Sequence, residues 1–322
     1  MKLGYCTTAY MDRPLCDVIR MVADYGFQAV EIPAYRRSTQ FVAKEALINK
    51  DRVREIKQTL KETGLVASAL TCHEDSMLLM GPYGPDTDHI IQGTPEEKLK
   101  YGMDSLIETA QAANVMEIPV VVGFTGVGNW GRYYPFPNRQ GWAIEEELFA
   151  ERLTPVMDKF KEYGVKYAVE PNPINFVYDI HTAQRALELL DNHPNFGFNL
   201  DPANMMYLGL RIENFINRFG DRIFNVHAKD GEVVAHNIEM GGILMTGSWR
   251  RLDRAYRFRV PGWGDVPWRK IITELKMVDY DNVMSYEHED ITMSREDGLE
   301  QVIHFLKPLI IKNPYVGPWR AE

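Results

Sequence analysis

The chain has 322 residues, 45% of them hydrophobic and 25% charged, the balance of an ordinary globular protein with enough apolar content for a large core. Its formal net charge of -9 argues against a nucleic-acid binder, whose phosphate contacts usually call for a basic surplus. Three cysteines, Cys6, Cys16 and Cys72, have neither the number nor the spacing of a disulfide scaffold or a zinc knuckle, and they read as free thiols of a reducing compartment. The opening "MKLGYCTTAYMDRP" lacks an apolar signal core, and no later segment offers about 18 uninterrupted apolar residues, so a cytoplasmic chain without a membrane partner is expected.

Taken in order, short apolar runs alternate with longer stretches of helical period, which is the signature of βα units around a parallel sheet. "KLGYC" is followed by "PLCDVIRMVADYG", whose closing Gly26 suits a helix C-cap. "AVEIP" precedes "DRVREIKQTLKETG", predicted as a helix from Asp51 to Gly64. "VASALTC" leads through residues 73–93 to "TPEEKLKYGMDSLIETAQAAN", where Thr94, Pro95 and Glu97 form the pattern of a capping box. "IPVVVGF", "KYAVEP", "FGFNLDP", "IFNVHAKD" and "VMSYEHED" supply five more strands, each with a helix after it. Eight βα units predict a (β/α)8 TIM barrel of class α/β, one domain over residues 1–322. Long connections at 73–93, 125–142 and 229–264 are expected to wall an active site.

Strand alternation then sorts the side chains. Glu170 shares a face with Ala168, Asp201 with Asn199 and Gly197, His227 with Asn225, and Glu287 with Ser285, while Tyr167, Val169, Phe198, Leu200, Phe224, Val226, Met284 and Tyr286 take the opposite face. If the large apolar groups face the helices, the four polar ones converge at the C-terminal mouth of the barrel. Three carboxylates there repel one another unless a cation joins them. Three oxygens and one imidazole suit a single divalent metal, Mn2+ first, with Mg2+, Co2+ or Zn2+ as alternatives.

These segments, with "VEPNP", "NLDPANMMYLG", "FGDRIFNVHAKD", "PGWGDVPWRKIITEL" and "YDNVMSYEHED", resemble the xylose isomerase-like TIM barrels, the sugar phosphate isomerase/epimerase group that includes the ketose 3-epimerases. The resemblance implies a metal held by Glu170, Asp201, His227 and Glu287. It also implies proton transfer by Glu170 and Glu287 next to a carbonyl, through a metal-stabilised enediolate. Asn204 stands where those epimerases have a substrate-contacting histidine, and Val233 where they have an arginine. The chain is also similar to the large subunit of C-glycoside deglycosylating enzymes, lyases that cleave 3-oxo-glycosides with a small partner subunit. The expected partners are thus a carbohydrate or glycoside substrate and either further copies of the chain or such a subunit.

Three more groups complete the candidate site. His73, after the third strand, is read as a further base or substrate contact, and Lys229 as a charge for an oxyanion or a bridge to Asp230. Trp130, with Tyr133, Tyr134 and Phe136, is read as a wall for a sugar or aglycone. His288 and Glu289 are expected to alternate away from Glu287, with at most one reaching the site. An abasic-site endonuclease, which shares the barrel, would need several metals and a basic groove, and it ranks last.

Overall fold

The computed structural model describes residues 1–128 and 139–313, without the side chains of 139 and 140. Ten strands lie in this part: β1 (Lys2–Cys6), β2 (Ala29–Pro33), β3 (Val66–Thr71), β4 (Val120–Gly123), β5 (Lys166–Val169), β6 (Phe196–Leu200), β7 (Ile223–Ala228), β8 (Asp230–Val233), β9 (Tyr256–Arg259) and β10 (Val283–Tyr286). Eight of them, paired in parallel in the order β1-β10-β7-β6-β5-β4-β3-β2, close a barrel, while β8 and β9 form a separate antiparallel pair. The fold is the (β/α)8 barrel that the run pattern predicts. Among the described residues no helix is long and apolar enough to cross a membrane.

Helix ends follow local chemistry. The Leu15–Tyr25 helix stops at Gly26, whose φ of 93° only glycine adopts without strain. The Pro95–Met116 helix opens on Thr94 with both hydrogen bonds of a capping box. The third helix begins earlier than expected, at Lys50, because the Asn49 side chain, and not that of Asp51, accepts the Arg52 N–H. Strand three stops at Thr71, so His73 opens a short helix, His73–Ser76, instead of ending the strand.

The main core lies between barrel and helices and takes Tyr167, Val169, Phe198, Leu200, Val226, Met284 and Tyr286, as alternation requires. Phe224 is the exception. It packs inside the barrel on Ala69, Val120, Val122 and Ala168. The pairing of β6 with β7 runs Phe198 to Ile223 and then Asn199 to Asn225, so Phe224 is the extra residue of a β-bulge and turns inward. Gly197 makes room for it, since a Cβ there would come within 2.5 Å of the Phe224 ring and overlap the Arg222 carbonyl. The Lys166 ammonium lies 4.2 Å from the centre of the same ring.

The excursion after β7 holds the β8–β9 hairpin and the Ala235–Gly241 helix. A single buried carboxylate anchors its two roots. Asp230 accepts from the backbone N–H of Gly231, Gly262 and Val266 and from Trp268 Nε1, all at 2.8–3.0 Å. Four donors oppose the cost of burying that charge, although burial still lifts the carboxyl above its ordinary value. Lys229 therefore does not bridge to Asp230, as its neighbour in sequence allowed, but turns to the barrel mouth.

Because backbone as well as ring opposes a Cβ at residue 197, Gly197→Ala is expected to cost about 2 kcal/mol of unfolding free energy. A urea midpoint equal to that of the wild type would show that the bulge does not depend on the glycine.

Candidate metal centre

Four strands deliver four ligand-type side chains to one point. Glu170 follows β5, Asp201 follows β6, His227 lies in β7 and Glu287 follows β10. One ligand atom from each lies within 4.8 Å of all the others. His227 Nδ1 stands 2.9 Å from Glu170 Oε2 and 3.3 Å from Glu287 Oε2. Asp201 has two tasks. Its Oδ1 caps the Pro202–Met206 helix by accepting from Ala203 N and Asn204 N, while its Oδ2 faces the site.

Sequence reading missed Glu31 altogether. It lies fully buried in β2, and its two oxygens meet His227 Nε2 at 2.9 Å and Asn225 Nδ2 at 3.0 Å. Asn225 Nδ2 also donates to Asn199 Oδ1 at 3.0 Å, and Asn199 Nδ2 donates to Glu170 Oε2 at 2.8 Å. Asn204 Nδ2 donates to Glu170 Oε1 at 2.6 Å and to Asp201 Oδ2 at 3.1 Å. A closed ring of side chains thus underlies the mouth: Glu170, Asn199, Asn225, Glu31, His227 and back to Glu170. The signal was present, as an acid of inward parity inside the apolar run "AVEIP".

The other candidates fall into place around this ring. His73 Nε2 is 3.4 Å from Glu170 Oε2, with its ring edge-on to Phe124. Lys229 Nζ is buried and lies 2.8 Å from Asp201 Oδ2, 2.7 Å from Glu287 Oε2 and 2.8 Å from Glu289 Oε2. Glu289 therefore reaches the site, whereas His288 turns back to the Tyr286 hydroxyl. Trp130, Tyr133, Tyr134 and Phe136 lie outside the described residues. The hairpin adds an aromatic wall that the sequence did not announce. Tyr256 stacks on Tyr207 at 3.9 Å, Trp249 meets Tyr256 edge-on, and Lys229 Nζ lies 4.7 Å from the Phe258 ring centre.

Electrostatics set the chemistry. Burial pushes the Asp201 carboxyl up to about 7, opposed by Lys229 and reinforced by Glu170 and Glu287. Burial works the same way on Glu170, but His227, His73 and Lys229 outweigh it and hold Glu170 well below the usual carboxylate range. Glu287 is lowered too, as Lys229 and His227 overcome its burial. Burial alone would lower His227, yet Glu287, Glu31 and Glu170 raise it well above its ordinary value. Five carboxylates thus surround one ammonium and one imidazole, a deficit of positive charge in a mostly buried place.

The donor set suits a divalent cation. His227 Nδ1 is a buried nitrogen without a hydrogen-bond partner among the described residues, and it faces two carboxylate oxygens. A cation among these atoms satisfies all of them and offsets the charge. Asp201→Asn separates the residue's two tasks, because asparagine caps a helix about as well as aspartate. The variant is expected to keep its thermal midpoint while Mn2+ affinity, measured by calorimetry, falls about 100-fold; unchanged affinity would remove Asp201 from the centre.

Comparison with known proteins agrees with this architecture. The chain is 23% identical to the uncharacterized protein YfiH of Bacillus subtilis (strain 168), over 96% of this chain and 99% of that one. It superposes on the probable 3-DHS dehydratase AsbF of Bacillus anthracis with a TM-score of 0.69 at 17% identity, covering 97% of this chain and 100% of the other. It superposes equally, with a TM-score of 0.69 at 15% identity, on the apo form of the 3-keto-D-glucoside 4-epimerase YcjR of E. coli, covering 96% and 99% of the two chains. At such identities these structures share the fold. Residues 19–309 match the model described as "Xylose isomerase-like TIM barrel", and the chain belongs to that family.

Proposed function

We propose that the protein is a divalent-metal-dependent isomerase or epimerase of a carbohydrate or glycoside, working by removal of a proton next to a carbonyl. The observation that carries this reading is the group Glu170, Asp201, His227 and Glu287, with ligand atoms within 4.8 Å of one another, at the C-terminal end of a barrel. Three oxygen donors and one nitrogen favour Mn2+, with Mg2+, Co2+ or Zn2+ as substitutes. When bound, the cation supplies Lewis-acid stabilisation of the charge that develops on the substrate oxygens.

The chain's own residues divide the remaining work. Glu170 has both oxygens engaged by Asn199 and Asn204, and its side chain is 3% exposed. Glu287 is 17% exposed and is held by Lys229. Glu287 is therefore the first base, able to swing from Lys229 to a substrate hydrogen, while Glu170 serves the opposite face. His73 Nε2, buried without a hydrogen-bond partner among the described residues, is the third group within reach. Asn204 Oδ1 is likewise a buried acceptor without a partner among those residues, suited to a substrate hydroxyl. Lys229 offers its ammonium to the developing oxyanion, a use consistent with its three carboxylate neighbours. Trp130 belongs to the same reading as a substrate wall.

A second reading is favoured by the aromatic wall. Tyr207, Tyr256, Trp249 and Phe258, with Arg254 4.0 Å above Trp249, form an aromatic cluster beside Lys229 whose faces suit a second ring beyond the sugar. A lyase acting on 3-oxo-glycosides would use the same proton abstraction and would expel an aglycone resting there. Whether the chain works as a homo-oligomer or with a small partner subunit belongs to this pair of readings, and light scattering on the purified chain tests the first.

Glu287→Gln is expected to retain the fold, lose about 1000-fold in turnover and bind Mn2+ more weakly; wild-type turnover would remove the residue from catalysis. Incubation of ketoses and 3-oxo-glycosides in D2O, with and without EDTA, tests the reaction class. Deuterium at the α carbon without cleavage marks an epimerase or isomerase, and aglycone release marks the lyase. Equal labelling in the presence of EDTA would end the metal-dependent reading.

A further inference from the structure

We propose that Glu31 is the positioning residue of the metal centre: it fixes His227 as the tautomer protonated on Nε2 and so keeps the Nδ1 lone pair directed at the cation. This inference rests on the metal reading above. It starts from a cost. Glu31 is fully buried, and among the described residues His227 is the one side chain within 4.0 Å of it that can carry a positive charge. Such a carboxylate is expensive to bury, so an apolar side chain or an amide would serve the packing of β2 better.

The hydrogen bonds of the ring assign the amide protons and the one on His227 Nε2. Asn199 gives its amide to Glu170, so its carbonyl oxygen accepts from Asn225, whose amide also gives to Glu31 Oε2. Glu31 Oε1 is left to face His227 Nε2 at 2.9 Å. That contact is attractive when Nε2 carries hydrogen and repulsive when it carries a lone pair. Glu170 Oε2 stands equally close to Nδ1, at 2.9 Å, so the metal-free ring can carry hydrogen on both nitrogens. A cation held by Glu170 and Glu287 would displace the hydrogen of Nδ1, while Glu31, on the far side, would keep the one on Nε2. Nδ1, which no group of the ring donates to, is left for coordination. A charged acceptor also makes the imidazole a stronger donor to a metal, which an amide at the same place would not do.

The geometry reaches across the barrel to do this. Glu31 stands on β2, which is separated from β7 by β1 and β10 in the sheet order. The pair therefore spans the interior, and it ties the face that bears the ligands to a strand that bears none.

Glu31→Gln keeps the size of the side chain and removes the charge. Its amide can donate to Nε2, which favours hydrogen on Nδ1, in the place of the cation. The expected result is a 10- to 100-fold loss of Mn2+ affinity by calorimetry, with a thermal midpoint of the metal-free protein at or above that of the wild type. In the Zn2+-loaded wild type labelled with 15N-histidine, long-range 1H–15N spectra should show His227 bound through Nδ1 with hydrogen on Nε2. That measurement needs no variant to fold. Coordination through Nε2, or a Glu31→Gln protein that binds Mn2+ as tightly as the wild type, would overturn the assignment. A loss of stability with unchanged affinity would make Glu31 a packing residue only. Failure of the wild type to bind either metal would instead bring down the metal centre itself, and this inference with it.

Discussion

Crowded negative charge governs this molecule. Glu31, Glu170, Asp201 and Glu287 are gathered in the upper interior of a barrel, with Glu289 at its edge, and such a gathering survives only if each charge is answered. The chain answers in three ways: the Lys229 ammonium between Asp201, Glu287 and Glu289; amide donors from Asn199, Asn204 and Asn225; and the His227 imidazole between Glu31 and Glu170. Small side chains on the inner faces of the strands make the space, as Gly197 and Ala168 illustrate. Large ones such as Tyr167, Phe198 and Tyr286 hold the helices outside.

Lys229 holds a place between structure and chemistry. In the metal-free chain it neutralises two of the three carboxylates of the candidate centre. A divalent ion taking those oxygens would leave the ammonium with Glu289 and the face of Phe258. On the proposed reading the same residue would stabilise the unloaded protein and meet negative charge in the loaded one.

Much of this was legible from residues alone. Period-two alternation in four short strands was enough to point Glu170, Asp201, His227 and Glu287 inward, because each stands at or near the end of a run whose apolar members are large. Glu31 was not picked out, since a single acid among four apolar residues carries no partner in sequence; its partners, Asn225 and His227, are 194 and 196 residues away. Phe224 was assigned to the wrong face because a bulge adds one residue without any mark in composition, and parity fails at that residue only. The hairpin of β8 and β9 escaped notice for a different reason. Its strands are four residues each and are joined by a long segment with its own helix, so no tight-turn signal links them.

The rooting of the excursion at Asp230 has an evolutionary corollary. Both ends of this appendage meet at one carboxylate, with Asp265 N donating to Gly231 O at 2.7 Å across the seam, and its strands lean back on the barrel through Tyr256 on Tyr207 and Arg259 on Asp290. Farther out, Leu244 and Leu252 lie exposed. An appendage rooted in this way is a graft on the barrel, a unit that insertion or exchange can remodel while the ring of strands beneath it keeps its register.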